Sequence, residues 1–149
     1  MMSKSILTIE VKLASSDIKS EIFMSKASLL DWDIVLFKPN ISGFLYGYPN
    51  NYMGKPSLDD TMSFKLKECC EHWRREIKQA IENGKTIVVF MTSLCEVYID
   101  TGTRNYSGTG RNRQTTRVVE KITNYNSIPL KFTPITSTGN ATKLTKIGT

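Results

Sequence analysis

One stretch constrains this chain more than any other. Leu66, Cys70, Trp73, Ile77, Ala80 and Ile81 recur at spacings of three and four along residues 63–83, so a helix there carries an apolar stripe that must be buried. Gly84 follows as a helix stop. Lys85-Thr86-Ile87-Val88-Val89-Phe90-Met91 then runs apolar and β-branched, the pattern of a strand covered on both faces. Helix, glycine and buried strand in that order are the makings of a βαβ unit, which commits the chain to an α/β fold with the helix packed on a sheet. At 1.5 Å per residue the helix spans about 30 Å.

The rest of the chain is read against that unit. Residues 6–13 alternate and are rich in β-formers, predicting a first strand. Residues 18–30 carry scattered apolar positions and predict one or two short helices. Asp33-Ile34-Val35-Leu36-Phe37, closed by Lys38-Pro39-Asn40, predicts a second buried strand. Residues 40–61 hold Gly43, Gly47, Pro49, Gly54 and Pro56 and predict a long lid-like loop, whose Tyr46, Tyr48 and Tyr52 are placed to close over a base. Residues 96–99 read as a short strand, 115–125 as either a short helix or a strand, and 128–136 and 142–147 as strands around a Ser137-Thr138-Gly139-Asn140 turn. The expectation is one domain over residues 1–149, with an α/β core at 1–99 and a basic loop with C-terminal strands at 100–149. The sheet is expected to be three-layer and largely parallel. No second long helix is evident to cover its other face, so the chain is expected either to be a portion of a larger protein or to bury that face in a partner.

Two pieces carry a family resemblance. Leu29-Leu30-Asp31-Trp32-Asp33-Ile34-Val35-Leu36-Phe37 and Ile81-Glu82-Asn83-Gly84-Lys85-Thr86-Ile87-Val88-Val89-Phe90 resemble the second and third strand regions of flavodoxin-like domains of the class I glutamine amidotransferase and ThuA-like group. The resemblance covers residues 1–91 and implies a flavodoxin-like core. It does not extend to the amidotransferase chemistry: Cys95 stands between Leu94 and Glu96 without flanking glycines, and the partner His and Glu of that triad have no match.

Function is read mainly from charge. Residues 101–149 hold eight Lys or Arg and a single acid, Glu120, a balance of +7, whereas residues 1–100 balance to −1. At the head of the basic third, Arg104, Ser107, Gly108, Thr109, Gly110, Arg111, Arg113, Thr115 and Arg117 combine glycines that let backbone N–H groups approach an anion, hydroxyl donors, and guanidinium groups suited to phosphate. Tyr106 and Tyr125 are the candidates for stacking on bases, and Lys121 for one more phosphate contact. The segment lacks the Lys-Ser/Thr of a Walker loop. The leading expectation is a non-catalytic module that recognises nucleic acid or a nucleotide phosphate. Pairing of these arginines with Asp59, Asp60 or Glu96 would instead mark a structural role. One alternative is a protein-interaction domain of a larger assembly. Another is a hydrolase using Asp100, because Val97-Tyr98-Ile99-Asp100-Thr101-Gly102 resembles the apolar-Asp-Thr-Gly signature of aspartic proteases, where a single copy requires a homodimer.

Other chemistries find little footing. His72 is the lone histidine, which excludes a multi-His metal site; it is expected on a solvated helix face between Glu68 and Glu76. Cys69, Cys70 and Cys95 are odd in number with two adjacent, so reduced thiols are expected, Cys70 as core packing. No metal and no cofactor are expected. No apolar run approaches the ~20 residues of a membrane helix, and residues 6–11 are too short for a signal peptide's apolar core, so no membrane partner and a cytoplasmic location are expected.

Overall fold

The computed structural model describes residues 4–15, 18–48 and 52–129. Strands β1 (Ile6–Ile9), β2 (Lys19–Glu21), β3 (Ile34–Phe37) and β4 (Thr86–Val89) form a sheet in the order β2-β1-β3-β4, with every neighbouring pair parallel. Helices α1 (Ser42–Leu45) and α2 (Asp60–Glu82) lie between β3 and β4 in the chain. Strands β5 (Glu96–Ser107) and β6 (Gln114–Thr123) then form a separate antiparallel pair. The fold is mixed α/β, and the helix–glycine–strand order stands where the apolar spacing puts it, but the strand expected over 85–91 to be covered on both faces is the short edge strand β4, with Thr86 and Val88 exposed on the face that α2 does not cover.

Packing follows the alternation of the strands. Leu7, Ile9, Val35 and Phe37 are buried on the face that meets α2. There the Phe37 and Trp73 rings lie 5.5 Å apart, and Phe23 sits 6.0 Å from Trp73 and 6.2 Å from Phe44. Trp73 is fully buried, and its indole N–H is satisfied by the Phe23 carbonyl at 2.9 Å, the usual requirement for a buried Trp. α2 starts at Asp60, about one turn before the expected residue 63, because Asp59 caps it by accepting from the Met62 N–H at 2.8 Å. Gly84, at φ 76°, ends it. On the opposite face of the sheet Ile34 and Leu36 are half-buried and Val88 is exposed, and no described helix crosses that face.

Several expectations are corrected. The first strand stops at Ile9 because Glu10 turns into the left-handed region at φ 59°, where its carboxylate accepts from the Phe23 N–H at 2.8 Å. Residues 18–30 form no α-helix: they give the edge strand β2 and a 3₁₀ turn at Phe23–Ser25, since the Ser-rich stretch has weak helix propensity and Phe23 is drawn into the core. The described part of 40–61 is not a lid. Ile41, Phe44 and Leu58 are buried, and the segment is tied down by α1 and by backbone bonds from Leu58 N to Tyr98 O and from Tyr98 N to Pro56 O, both 2.9 Å. The strand at 96–99 runs on to Ser107, and residues 115–125 take the strand option as β6, followed by a 3₁₀ turn at Asn124–Ser127.

His72 is not on a solvated face. Its Nε2 donates to the Ala27 carbonyl at 2.9 Å and its ring packs edge-on against Trp73, while Glu68 pairs with Lys26 and Glu76 accepts from the Leu29 N–H. Cys70 is core packing, with burial pushing its thiol up to about 12. From residue 130 on, the expected strands at 128–136 and 142–147 lie outside the described residues. Truncating Trp73 to Ala should remove the hub of the aromatic cluster and cost about 3–5 kcal/mol. Urea unfolding followed by far-UV circular dichroism reads this directly, and a loss below about 1 kcal/mol would mean that the helix does not depend on this contact.

Candidate functional site

The basic segment is an arm rather than a loop. β5 and β6 pair from Glu96↔Thr123 to Asp100↔Val119, slip by a bulge, and resume from Arg104↔Arg117 to Ser107↔Gln114. β5 carries two residues more than β6 between Asp100 and Arg104. The bulge is accommodated by Gly102 at φ 81° and closed by the Thr101 hydroxyl, which donates to the Val118 carbonyl at 2.7 Å. Below the bulge Val97, Ile99 and Ile122 are buried against the body. Above it both strands are exposed apart from the half-buried Arg104. The upper ladder extends roughly 14 Å at 3.4 Å per residue before the tip.

The tip is built from the glycines singled out in the sequence. Gly108, at φ 82°, has no room for a side chain: a Cβ there would lie 2.3 Å from the Asn112 carbonyl oxygen. Residues Gly110–Asn112 make a 3₁₀ turn, and Arg113 then lays its guanidinium 4.3 Å over the Tyr106 ring. Ser107, Thr109, Arg111, Arg113 and Thr115 are all exposed. Among the described residues no carboxylate pairs with Arg111 or Arg113.

Arg104 and Arg117 are spent differently. The Asp100 side chain is only 1% exposed and accepts from Arg104 Nη1 at 2.9 Å, from Arg117 Nε at 2.6 Å and from the Gly102 N–H at 2.7 Å. Arg104 Nη2 also reaches Asp60 at 3.5 Å, at the start of α2. Arg117 Nη2 donates to the Leu58 carbonyl at 2.8 Å, and the Asp100 N–H donates to the buried Ser63 hydroxyl at 2.8 Å. These bonds lock the root of the arm onto the N-terminus of α2. The Asp60 carboxyl shares a hydrogen bond with Asp100, and that bond, the Gly102 N–H and the Arg104 guanidinium hold Asp100 well below the usual carboxylate range. The same pairing, with repulsion from the Asp100 charge, pushes Asp60 up.

So placed, the expected residues divide into two groups. Ser107, Gly108, Thr109, Gly110, Arg111, Arg113, Thr115 and Tyr106 come together at and near the tip, and Arg104 and Arg117 stand at the root, neutralised by Asp100. Tyr125 is not available for stacking: it is buried, and its hydroxyl donates to the Thr92 carbonyl and accepts from the Thr92 N–H at 3.0 Å. Lys121 pairs with Glu96 at 3.8 Å, and Glu96 is held more closely by Lys55 at 3.0 Å. Asp59 caps α2 and takes a 2.6 Å bond from the Tyr48 hydroxyl, so its carboxyl too is held low, first by the Met62 N–H.

Asp100 has the wrong properties for a general base, because an ionised carboxylate saturated by two guanidiniums and held low takes up a proton poorly near neutrality. Tyr52 packs on Tyr98 with ring centres 4.6 Å apart, and Tyr46 is fully outside. Along the outer side of α2 an open groove of about 640 Å³ collects Arg74, Arg75 and Lys78 but also Glu71 and Glu82, a mixed lining with no single preferred sign. The described residues hold no His/Cys/Asp/Glu group that could bind a metal, and no described helix is long and apolar enough to cross a membrane.

Sequence reasoning missed two features. The sequence offers Asp60 only as a candidate counter-ion, whereas in the fold it completes a two-carboxylate, two-guanidinium cluster. The second was the continuity of the arm through Gly102, for which Thr-rich alternation on both sides of the glycines was the available signal. Against known proteins, no family model, curated protein or solved structure matches the chain.

The ion cluster makes a directional prediction. A carboxyl held low in the fold stabilises it above the unfolded carboxylate value near 3.9, and that contribution is lost as pH falls through the depressed folded value. Asp100→Asn should therefore lower the thermal midpoint at neutral pH, with the gap to the unaltered protein narrowing as the pH drops below about 4. Thermal melts across that range measure it, and a gap that stays constant with pH would show that the charge of Asp100 is not what holds the arm.

Proposed function

We propose that this protein is a non-catalytic binding module that recognises nucleic acid through the β5–β6 arm. The observation that carries the reading is the arm itself: an exposed antiparallel ribbon with no acid between Asp100 and Glu120, bearing at its tip two arginines that no described carboxylate pairs with. Internal pairing of Arg104 and Arg117 orients the arm, and the charges of Arg111 and Arg113, which no described carboxylate meets, are the ones offered to phosphates. A free nucleotide is the weaker ligand on this reading, because small molecules are held in concave sites, and the arm tip is convex. The protein-interaction alternative draws on the half-covered sheet face of Ile34, Leu36 and Val88, which has no charge pattern to select a partner. For the fold we propose a flavodoxin-like relationship, supported by the all-parallel order β2-β1-β3-β4.

The test is electrostatic. Binding to short labelled DNA and RNA, followed by fluorescence anisotropy across a salt series, should weaken with salt. Replacing both Arg111 and Arg113 by Ala should reduce the slope of log affinity against log salt by about 2 units for duplex DNA. Undetectable binding at low ionic strength, or a slope unchanged by the double substitution, would overturn the proposal.

A further inference from the structure

The arm has two unlike faces. Directly opposed residues of an antiparallel ladder share a face, as do residues two apart along a strand. The pairs Arg104↔Arg117 and Tyr106↔Thr115 therefore form one face, which Arg113 joins by covering the Tyr106 ring. The pairs Asn105↔Thr116 and Ser107↔Gln114 form the other. All four of these side chains are exposed and uncharged, and among the described residues none has a hydrogen-bond partner. One side of the ribbon thus carries Arg113 stacked on Tyr106 above the already neutralised Arg104 and Arg117, and the other is a small field of amides and hydroxyls that both donate and accept.

Building on the nucleic-acid reading, we infer that the ligand is double-stranded DNA entered through its major groove, with Asn105 and Gln114 reading base edges. Three physical points lead there. The major groove of B-form DNA, about 12 Å wide, admits a two-stranded ribbon, whereas the major groove of an RNA duplex is too narrow for side chains to read. Sequence-tolerant grip on single strands uses rows of aromatic platforms. The arm offers one ring, Tyr106, already covered on one side by Arg113, and Tyr125 is buried. Finally, Asn and Gln form bidentate pairs with adenine N6 and N7, and Ser and Thr accept either base type, so the uncharged face suits the groove floor. The longer arginines reach the phosphate walls from the tip and the outer face.

The experiment uses the full chain with short duplexes rich in A·T or in G·C, the matching single strands, and an RNA duplex, read by anisotropy at one salt concentration. Duplex DNA should bind about tenfold or more tighter than single strand or RNA duplex, with a preference for A·T. Asn105→Ala and Gln114→Ala should each reduce that preference by roughly fivefold or more, with little change in salt slope. Both positions are exposed, and far-UV circular dichroism confirms that the variants fold. Equal binding to single and double strands or tighter binding to RNA duplex overturns the duplex assignment, and an A·T preference that is absent or untouched by both substitutions overturns the base reading by Asn105 and Gln114, while in each case binding through the arm stands. Failure of every nucleic acid to bind removes both.

Discussion

The Asp100 carboxylate is the interaction on which the functional half of this molecule depends. It is buried at a point where three separate pieces of chain meet: the bulged strand that carries it, the opposing strand with Arg117, and the start of α2 with Asp60, Leu58 and Ser63. A buried charge is tolerable only when paired and hydrogen-bonded, and here two guanidiniums and a backbone N–H supply the pairing. Removing either partner strands a charge, so the geometry is held by the cost of leaving it rather than by the strength of any one bond. A ribbon with no described residue packed against its upper faces would otherwise swing about its root.

That anchoring divides labour among residues of one type. Four arginines lie between Asp100 and Glu120, and the fold uses them in pairs. Arg104 and Arg117 face the buried carboxylate and orient the arm. Arg111 and Arg113 stand beyond it, where no described carboxylate reaches them, one of them stiffened by the Tyr106 ring. The same geometry demotes Asp100 as a candidate catalyst, since what makes it a good anchor, a carboxyl held low and saturated with donors, makes it a poor proton acceptor.

The body beneath is built on one-sided burial. α2 covers the face of the parallel sheet that bears Leu7, Ile9, Val35 and Phe37, with Trp73 at its centre, and the segment before α2 contributes Ile41, Phe44 and Leu58 to the same core. This is why a stretch rich in Gly and Pro is held down instead of acting as a lid: three apolar side chains outweigh the composition around them. It also gives the arm a rigid base, because the N-terminus of the best-packed helix is the surface to which the arm is tied.

How much was legible in the chain follows from the range of each interaction. The amphipathic stripe of α2, its stop at Gly84, and the apolar runs of β3 and β4 are local patterns, so the helix from residue 63 on and the positions of both strands are close to self-evident, whereas the exposure of Thr86 and Val88 at the sheet edge is not. The tip glycines stand out in the sequence as a place where backbone N–H groups can approach an anion, while the positive φ and close approach that reserve position 108 for glycine are visible only in the fold. What the sequence by itself determined was therefore an α/β core around one long helix, and a concentration of positive charge near a glycine turn. Only the tertiary structure decided that this turn caps a ribbon rather than a loose loop, that Tyr125 points inward, and that two of the four arginines are already neutralised. Those outcomes hang on contacts between residues far apart in the chain, Arg117 with Leu58 and Asp60 with Arg104 among them, and long-range pairing of charges leaves no periodic trace for a linear reading to find.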